Sequence, residues 1–85
     1  MKAQIVTAKV VAKNIREVRE YRKYSQDYLA AKLCISQNAY SKIELGHSKI
    51  TLDRLFSIAV ILEIEVRLLI SLDLTAALEL NPLSS

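Results

Sequence analysis

A single glycine, Gly46, and a single proline, Pro82, stand in a chain of 85 residues. Tight turns and hairpins rely on these two residues for backbone angles that others resist, so an all-β fold rich in such turns is disfavoured. Helices with short connections remain. The length suits one domain, since domains usually run to about 100–150 residues. With 52 % hydrophobic residues and a mean hydropathy of +0.20, the chain is apolar for its size. A chain this short buries only about 60–65 % of its unfolded surface. A thin core gains from a partner, and an oligomer is expected.

Several function classes fall away on composition. No apolar run reaches the roughly 18 residues of a membrane-spanning helix, and the stretch Leu55–Leu62 ends at Glu63. Lys2, Lys9 and Lys13 interrupt any apolar run near the start, so no signal peptide is read and a cytoplasmic protein is expected. One cysteine, Cys34, closes no internal disulfide, and with one histidine, His47, it falls short of the four ligands of a structural zinc site. No cofactor is expected. Catalysis lacks support as well, with no Ser/His/Asp set, no Gly-rich phosphate loop and no paired carboxylates on one helix face. His47 reads as a loop residue, and Cys34 as a small buried or half-buried turn residue rather than an oxidation switch.

Charge is unevenly spread. Residues 1–54 carry eleven Lys or Arg against five Asp or Glu, which is +6, and residues 55–85 carry one Arg against four acids, which is −3. A basic first part beside an apolar, faintly acidic last part suggests a polyanion-binding face and a separate packing face.

Capping residues punctuate the chain. Ala8, Val11, Ile15 and Val18 form a helical stripe between Thr7 and Lys23, with Arg16, Arg19, Arg22 and Lys23 on its exposed side. Thr7 is one possible cap, and Asn14 with Glu17 reads as a capping box for a later start. Ser25 caps a short helix over 26–33, whose inner face is Leu29, Ala30 and Leu33. Ser36 caps a helix over 37–45 that buries Tyr40 and Ile43 and stops at Gly46. Thr51 caps a fourth helix with Leu52, Leu55, Phe56, Ala59 and Leu62 on one face. From Ile64 the pattern fits two structures: Ile64, Val66 and Leu68 alternate as in a strand, while Val66, Leu69 and Ile70 suit a short helix. The end, with Asn81 and Pro82, reads as a frayed or extended tail.

Residues 26–45, QDYLAAKLCISQNAYSKIEL, resemble the helix-turn-helix of the phage-repressor-like, or Xre-type, transcriptional regulators. Leu29, Ala30, Leu33, Ile35, Tyr40 and Ile43 stand where that family asks for apolar or small residues. Two helices crossing at roughly 100° accept only a small side chain where they approach, which is the reason for Ala30. Two positions depart from the family: Cys34 replaces the usual turn glycine, and Tyr40 exceeds the usual aliphatic residue, which implies a slightly wider turn. A cysteine with positive φ stores about 1–2 kcal/mol.

The resemblance implies an all-α, compact four- to five-helix DNA-binding domain over residues 1–70. Residues 71–85 would then form an apolar extension, and 64–80 a strand or helix for dimerisation. It implies that Gln37, Asn38, Ser41 and Lys42 face base edges in the major groove, where Asn or Gln pairs with adenine and Lys with guanine. Phosphate contacts would come from Ser25, Gln26, Ser48 and Lys49, with Tyr24, Arg22 and Lys23 as weaker contributors. Arg19 and Glu44 would form a structural ion pair between the first helix and the end of the third. The expected function is a sequence-specific regulator, in the first place a repressor, that binds a palindromic operator in double-stranded DNA as a homodimer. Two alternatives stand beside it. One is an antitoxin that also masks a toxin protein; the other is a protein-interaction module that has lost DNA binding.

Overall fold

The computed structural model describes residues 6–80. The readings made on Lys2 and on the end from Asn81 lie outside them. Six helices follow in order among the described residues: α1 (Ala8–Tyr21), α2 (Gln26–Leu33), α3 (Gln37–Glu44), α4 (Leu52–Leu62), α5 (Val66–Leu69) and α6 (Leu74–Leu80). The fold is all-α as expected, with six helices rather than four or five. No described helix is long and apolar enough to cross a membrane.

Each of the first four helices begins at the residue whose side chain satisfies an otherwise orphaned backbone donor. Thr7, Ser25, Ser36 and Thr51 accept from the N–H groups of Val10, Tyr28, Ala39 and Arg54. The earlier of the two starts read for α1 is therefore the real one, and Asn14 lies inside the helix. Asp73 caps α6 in the same way, accepting from Ala76 N–H at 3.2 Å.

The ends share one closure. At Lys23, Cys34, Glu63 and Gly46 the backbone turns left-handed, with φ of 62, 59, 56 and 76°. In each case the next N–H reaches back five residues: Tyr24 to Arg19, Ile35 to Ala30, Ile64 to Ala59 and His47 to Lys42. Three of these four positions are not glycine, so about 1–2 kcal/mol of conformational strain is accepted at each. Cys34 takes the positive φ but is exposed, not buried or half-buried as its size suggested.

α1 packs on α3, α4 and α5, and α2 packs on α3 and α4, around a core centred on Ile15, Leu29, Tyr40, Ile58, Leu62 and Leu69. Two expected faces need correction. On α1, Ala8 is exposed, Ala12 takes the inner position beside Ile15 and Val18, and Arg19 is turned inward. On α4, the core face is Leu55, Ile58, Ala59 and Leu62, while Leu52 is 65 % and Phe56 48 % exposed. That helix is apolar nearly all round, so spacing alone admitted more than one stripe.

The C-terminal segment resolves to helix. Val66–Leu69 is a single helical turn, so of the two readings from Ile64 the strand is set aside. Leu68, Leu69 and Leu74 are buried in the protein's own core, and Ile64, Val66, Ala77 and Leu78 pack against it. The expected dimer surface over 64–80 therefore spends most of its apolar residues internally. Ile70 and Leu72 of that segment stay exposed, and on α4 Leu52, Phe56 and Val60 form an outward row one turn apart, Val60 being 76 % exposed.

Candidate nucleic-acid interface

α3 is short and starts abruptly at Ser36, only two residues after α2 closes at Cys34. The short connection holds the two helices as one unit. At about 3.6 residues per turn, Tyr40, Ile43 and Glu44 fall on the inner side of α3, and all three are buried. Gln37, Asn38 and Lys42 are exposed and Ser41 is half-buried. The four residues expected to face bases thus share the outer side of the helix.

Gln37, Asn38 and Ser41 also meet Gln26, the first residue of α2, around an open cleft of about 310 Å³. Lys42 lies farther round the helix, exposed, and lines no part of this cleft. A second cleft of about 240 Å³ lies on the other flank of α3, between it and the start of α4. Ser48 and Lys49, the two expected phosphate contacts from this region, line it together with Thr51, Arg54, Ala39 and Ile43. Ser25 stands apart from both clefts: its hydroxyl oxygen accepts from Tyr28 N–H at 3.0 Å. The start of α2 still offers backbone N–H groups of the kind that bind anions.

Behind this surface lies a buried ionic cluster. Arg19 grips Glu44 with both faces of its fork, Nε to Oε2 at 2.6 Å and Nη2 to Oε1 at 3.0 Å. Its remaining nitrogen, Nη1, donates to the Tyr24 carbonyl at 2.8 Å. The Tyr40 hydroxyl donates to Glu44 Oε2, and the Gln26 amide nitrogen donates to Glu44 Oε1 at 3.1 Å. The expected pair is present and nearly sealed from solvent, with Arg19 9 % and Glu44 8 % exposed. Burial opposes the charge on Glu44, but the hydrogen bonds from Arg19, Tyr40 and Gln26 outweigh it and hold the carboxyl below its usual range. The hydrogen bond to Glu44 raises the Arg19 guanidinium, against its own burial. Burial first, and the bond to Glu44 second, push the Tyr40 phenol far up. Tyr40's hydroxyl therefore stays a donor, and the extra size that set it apart from an aliphatic residue is taken up by Glu44.

Three residues escaped the sequence reading in different ways. Arg22, a weaker phosphate contributor by expectation, instead closes the end of α4, donating from Nε to the Leu62 carbonyl at 2.9 Å and from Nη2 to that of Glu63 at 2.8 Å. Tyr24 donates its hydroxyl to Glu63, which raises its pKa, and so is engaged away from the clefts. Arg54 was not singled out, yet it joins Lys49 around the second cleft. Its signal was available, because it lies three residues after the Thr51 cap, on the first turn of α4.

The polar outer side of α3, carried on two helices joined by a tight turn and braced from behind by α1, is the geometry of a helix-turn-helix. A family model described as helix-turn-helix matches residues 15–69. The chain belongs to this helix-turn-helix family, of the Xre type. Membership makes it a DNA-binding regulator of transcription and not an enzyme. Among solved structures, the restriction-modification controller protein C.AhdI from Aeromonas hydrophila is 26 % identical over 73 % of this chain and 94 % of its own, with a TM-score of 0.68. The hypothetical transcription factor NHTF from Neisseria is 23 % identical over 94 % and 95 %, with a TM-score of 0.76, and shares the fold. No curated protein matches the chain.

Proposed function

We propose that this regulator is a cytoplasmic repressor that reads a palindromic operator as a homodimer, with α3 in the major groove. Gln37, Asn38, Ser41 and Lys42 read base edges, and Ser25, Gln26, Ser48 and Lys49 hold phosphates, Gln26 through its backbone N–H. The observation that carries this reading is the convergence of Gln26, Gln37, Asn38 and Ser41 on one open cleft in front of a rigidly braced helix. Bidentate Asn or Gln contacts to adenine give about 1–3 kcal/mol of discrimination each. Phosphate contacts position the domain without reading sequence.

One such module reaches few base pairs, and a two-fold dimer doubles the reading over half-sites about 10–10.5 base pairs apart. The outward row of Leu52, Phe56 and Val60 on α4 supplies an apolar surface for a second copy. C.AhdI is a controller protein of restriction-modification, and that likeness favours a free-standing regulator over an antitoxin. Selection from a randomised duplex pool tests the whole reading. Recovery of a palindrome supports it, and enrichment of a single unrepeated half-site removes the dimer. Binding that stays blind to sequence removes the reading itself.

A further inference from the structure

The amide of Gln26 connects the buried ion pair to the open cleft, and the connection is directional. A carboxylate accepts and cannot donate, so the nitrogen of the Gln26 amide, not its oxygen, must face Glu44. The opposite rotamer would set two acceptors against each other. Glu44 cannot swing to accommodate it, because Arg19 holds both of its oxygens and Tyr40 donates to one of them. The Gln26 oxygen takes no hydrogen bond from any described residue, and Gln26 lines the cleft with Gln37, Asn38 and Ser41.

We propose that Tyr40 and Glu44 are positioning residues that lock the Gln26 side chain so that its carbonyl oxygen reads a base carrying a major-groove amino group. That base is adenine through its N6 or cytosine through its N4. A glutamine free to flip would accept from an amino group or donate to O6, N7 or O4 with similar ease. A locked one rejects guanine and thymine at its position, because their major-groove oxygens would confront its own. Gln26 then has two roles, its backbone N–H toward phosphate and its side chain toward a base. This inference rests on the DNA-reading assignment above and goes beyond it by naming the base class and the residues that impose it.

The test starts from the duplex that the wild-type chain enriches from a randomised pool. Each adenine or cytosine of that duplex is replaced in turn by the analogue lacking the amino group, and binding is measured for wild type, Gln26→Met and Tyr40→Phe. One replacement per half-site is expected to weaken wild type about tenfold and to leave Gln26→Met within about twofold. Tyr40→Phe is expected to reduce that same penalty to about threefold while binding the unselected pool as wild type does. A Tyr40 that merely supports the fold would leave the tenfold penalty intact and lower only the melting temperature, which removes Tyr40 from the positioning set. Equal penalties in wild type and Gln26→Met overturn the inference while the DNA-reading assignment stands. Failure of wild type to enrich any duplex overturns that assignment instead, and Gln26→Met, altered at a half-buried surface position, keeps the test independent of whether Tyr40→Phe folds.

Discussion

Helix α1 sends two polar side chains into the protein interior, and they work by different physics. Arg19 reaches α3 as half of a charged pair with Glu44, 25 residues away. Asn14 reaches the far end of the domain as a neutral donor, its Nδ2 bonding to the carbonyls of Leu69 at 2.9 Å and Ser71 at 2.7 Å. The charged tie holds α3 and the neutral tie holds the turn between α5 and α6. A buried charge depends wholly on its partner, whereas an amide that loses its bonds strands only dipoles. The two ties should therefore differ both in how much they stabilise and in how pH acts on them.

Arg19→Ala tests the stronger tie. It leaves the Glu44 carboxylate buried with only Tyr40 and Gln26 as donors, and a loss of about 3–5 kcal/mol is expected. Urea unfolding at neutral pH measures it. A loss under about 1 kcal/mol would mean that the pair behaves as a surface ion pair, and the contrast with Asn14 would collapse.

Acid should separate the ties further. The folded protein holds the Glu44 carboxyl below its ordinary value of 4.5, so folding stability from this group is complete above that ordinary value. It is lost as pH falls through the lower, folded value. Glu44→Gln should flatten this part of the stability profile, and Asn14→Ala should leave its shape unchanged. An acid limb equally steep in wild type and Glu44→Gln would place the linkage on other carboxylates.

Asn14→Ala removes two hydrogen bonds and leaves the Leu69 and Ser71 carbonyls without that donor. About 1–3 kcal/mol of stability should go, with hydrogen exchange rising first at α5 and α6. Exchange rising equally at α3 would show that the two ends are not held separately.

These two ties were unequally legible. Local pattern marked the helices, because Thr7, Ser25, Ser36 and Thr51 each sit one residue before a helix and cap it. Arg19 and Glu44 were legible only through the family resemblance, since the helical stripe alone placed Arg19 outside. Asn14 looked like a cap because the Asn14–Glu17 spacing is locally sound. Its real partners lie 55 and 57 residues away, and no local pattern encodes them. The outward row on α4 was hidden for the opposite reason: with so many apolar residues, several faces fit equally well. The bond between Gln26 and Glu44 needed coordinates, because it depends on which neighbouring element is packed alongside, whereas Arg54 was readable from its place on the first turn after the Thr51 cap.

Tyr40→Phe removes one donor from Glu44 and keeps the ring in the core, so a smaller loss of about 0.5–1.5 kcal/mol is expected from urea unfolding. A loss as large as that of Arg19→Ala would make the hydroxyl, and not the guanidinium, the mainstay of the charged tie.

The smallest effect concerns the local alternative to that tie, the turn at Cys34 that could itself set the pose of α3. Cys34 holds φ at 59° with an exposed side chain, so Cys34→Gly removes strain of about 1–2 kcal/mol at no packing cost. Glycine also gives the unfolded chain more freedom, which returns roughly 0.5–1 kcal/mol. The net gain should be under about 1 kcal/mol. At Gly46 the same arithmetic reverses, because a Cβ there would stand 3.1 Å from Lys9 Cγ as well as meeting a φ of 76°. If the Arg19–Glu44 tie orients α3, Cys34→Gly leaves discrimination between the selected duplex and the unselected pool unchanged while the melting temperature rises slightly. A fall in discrimination without loss of stability would instead assign the pose of α3 to the turn.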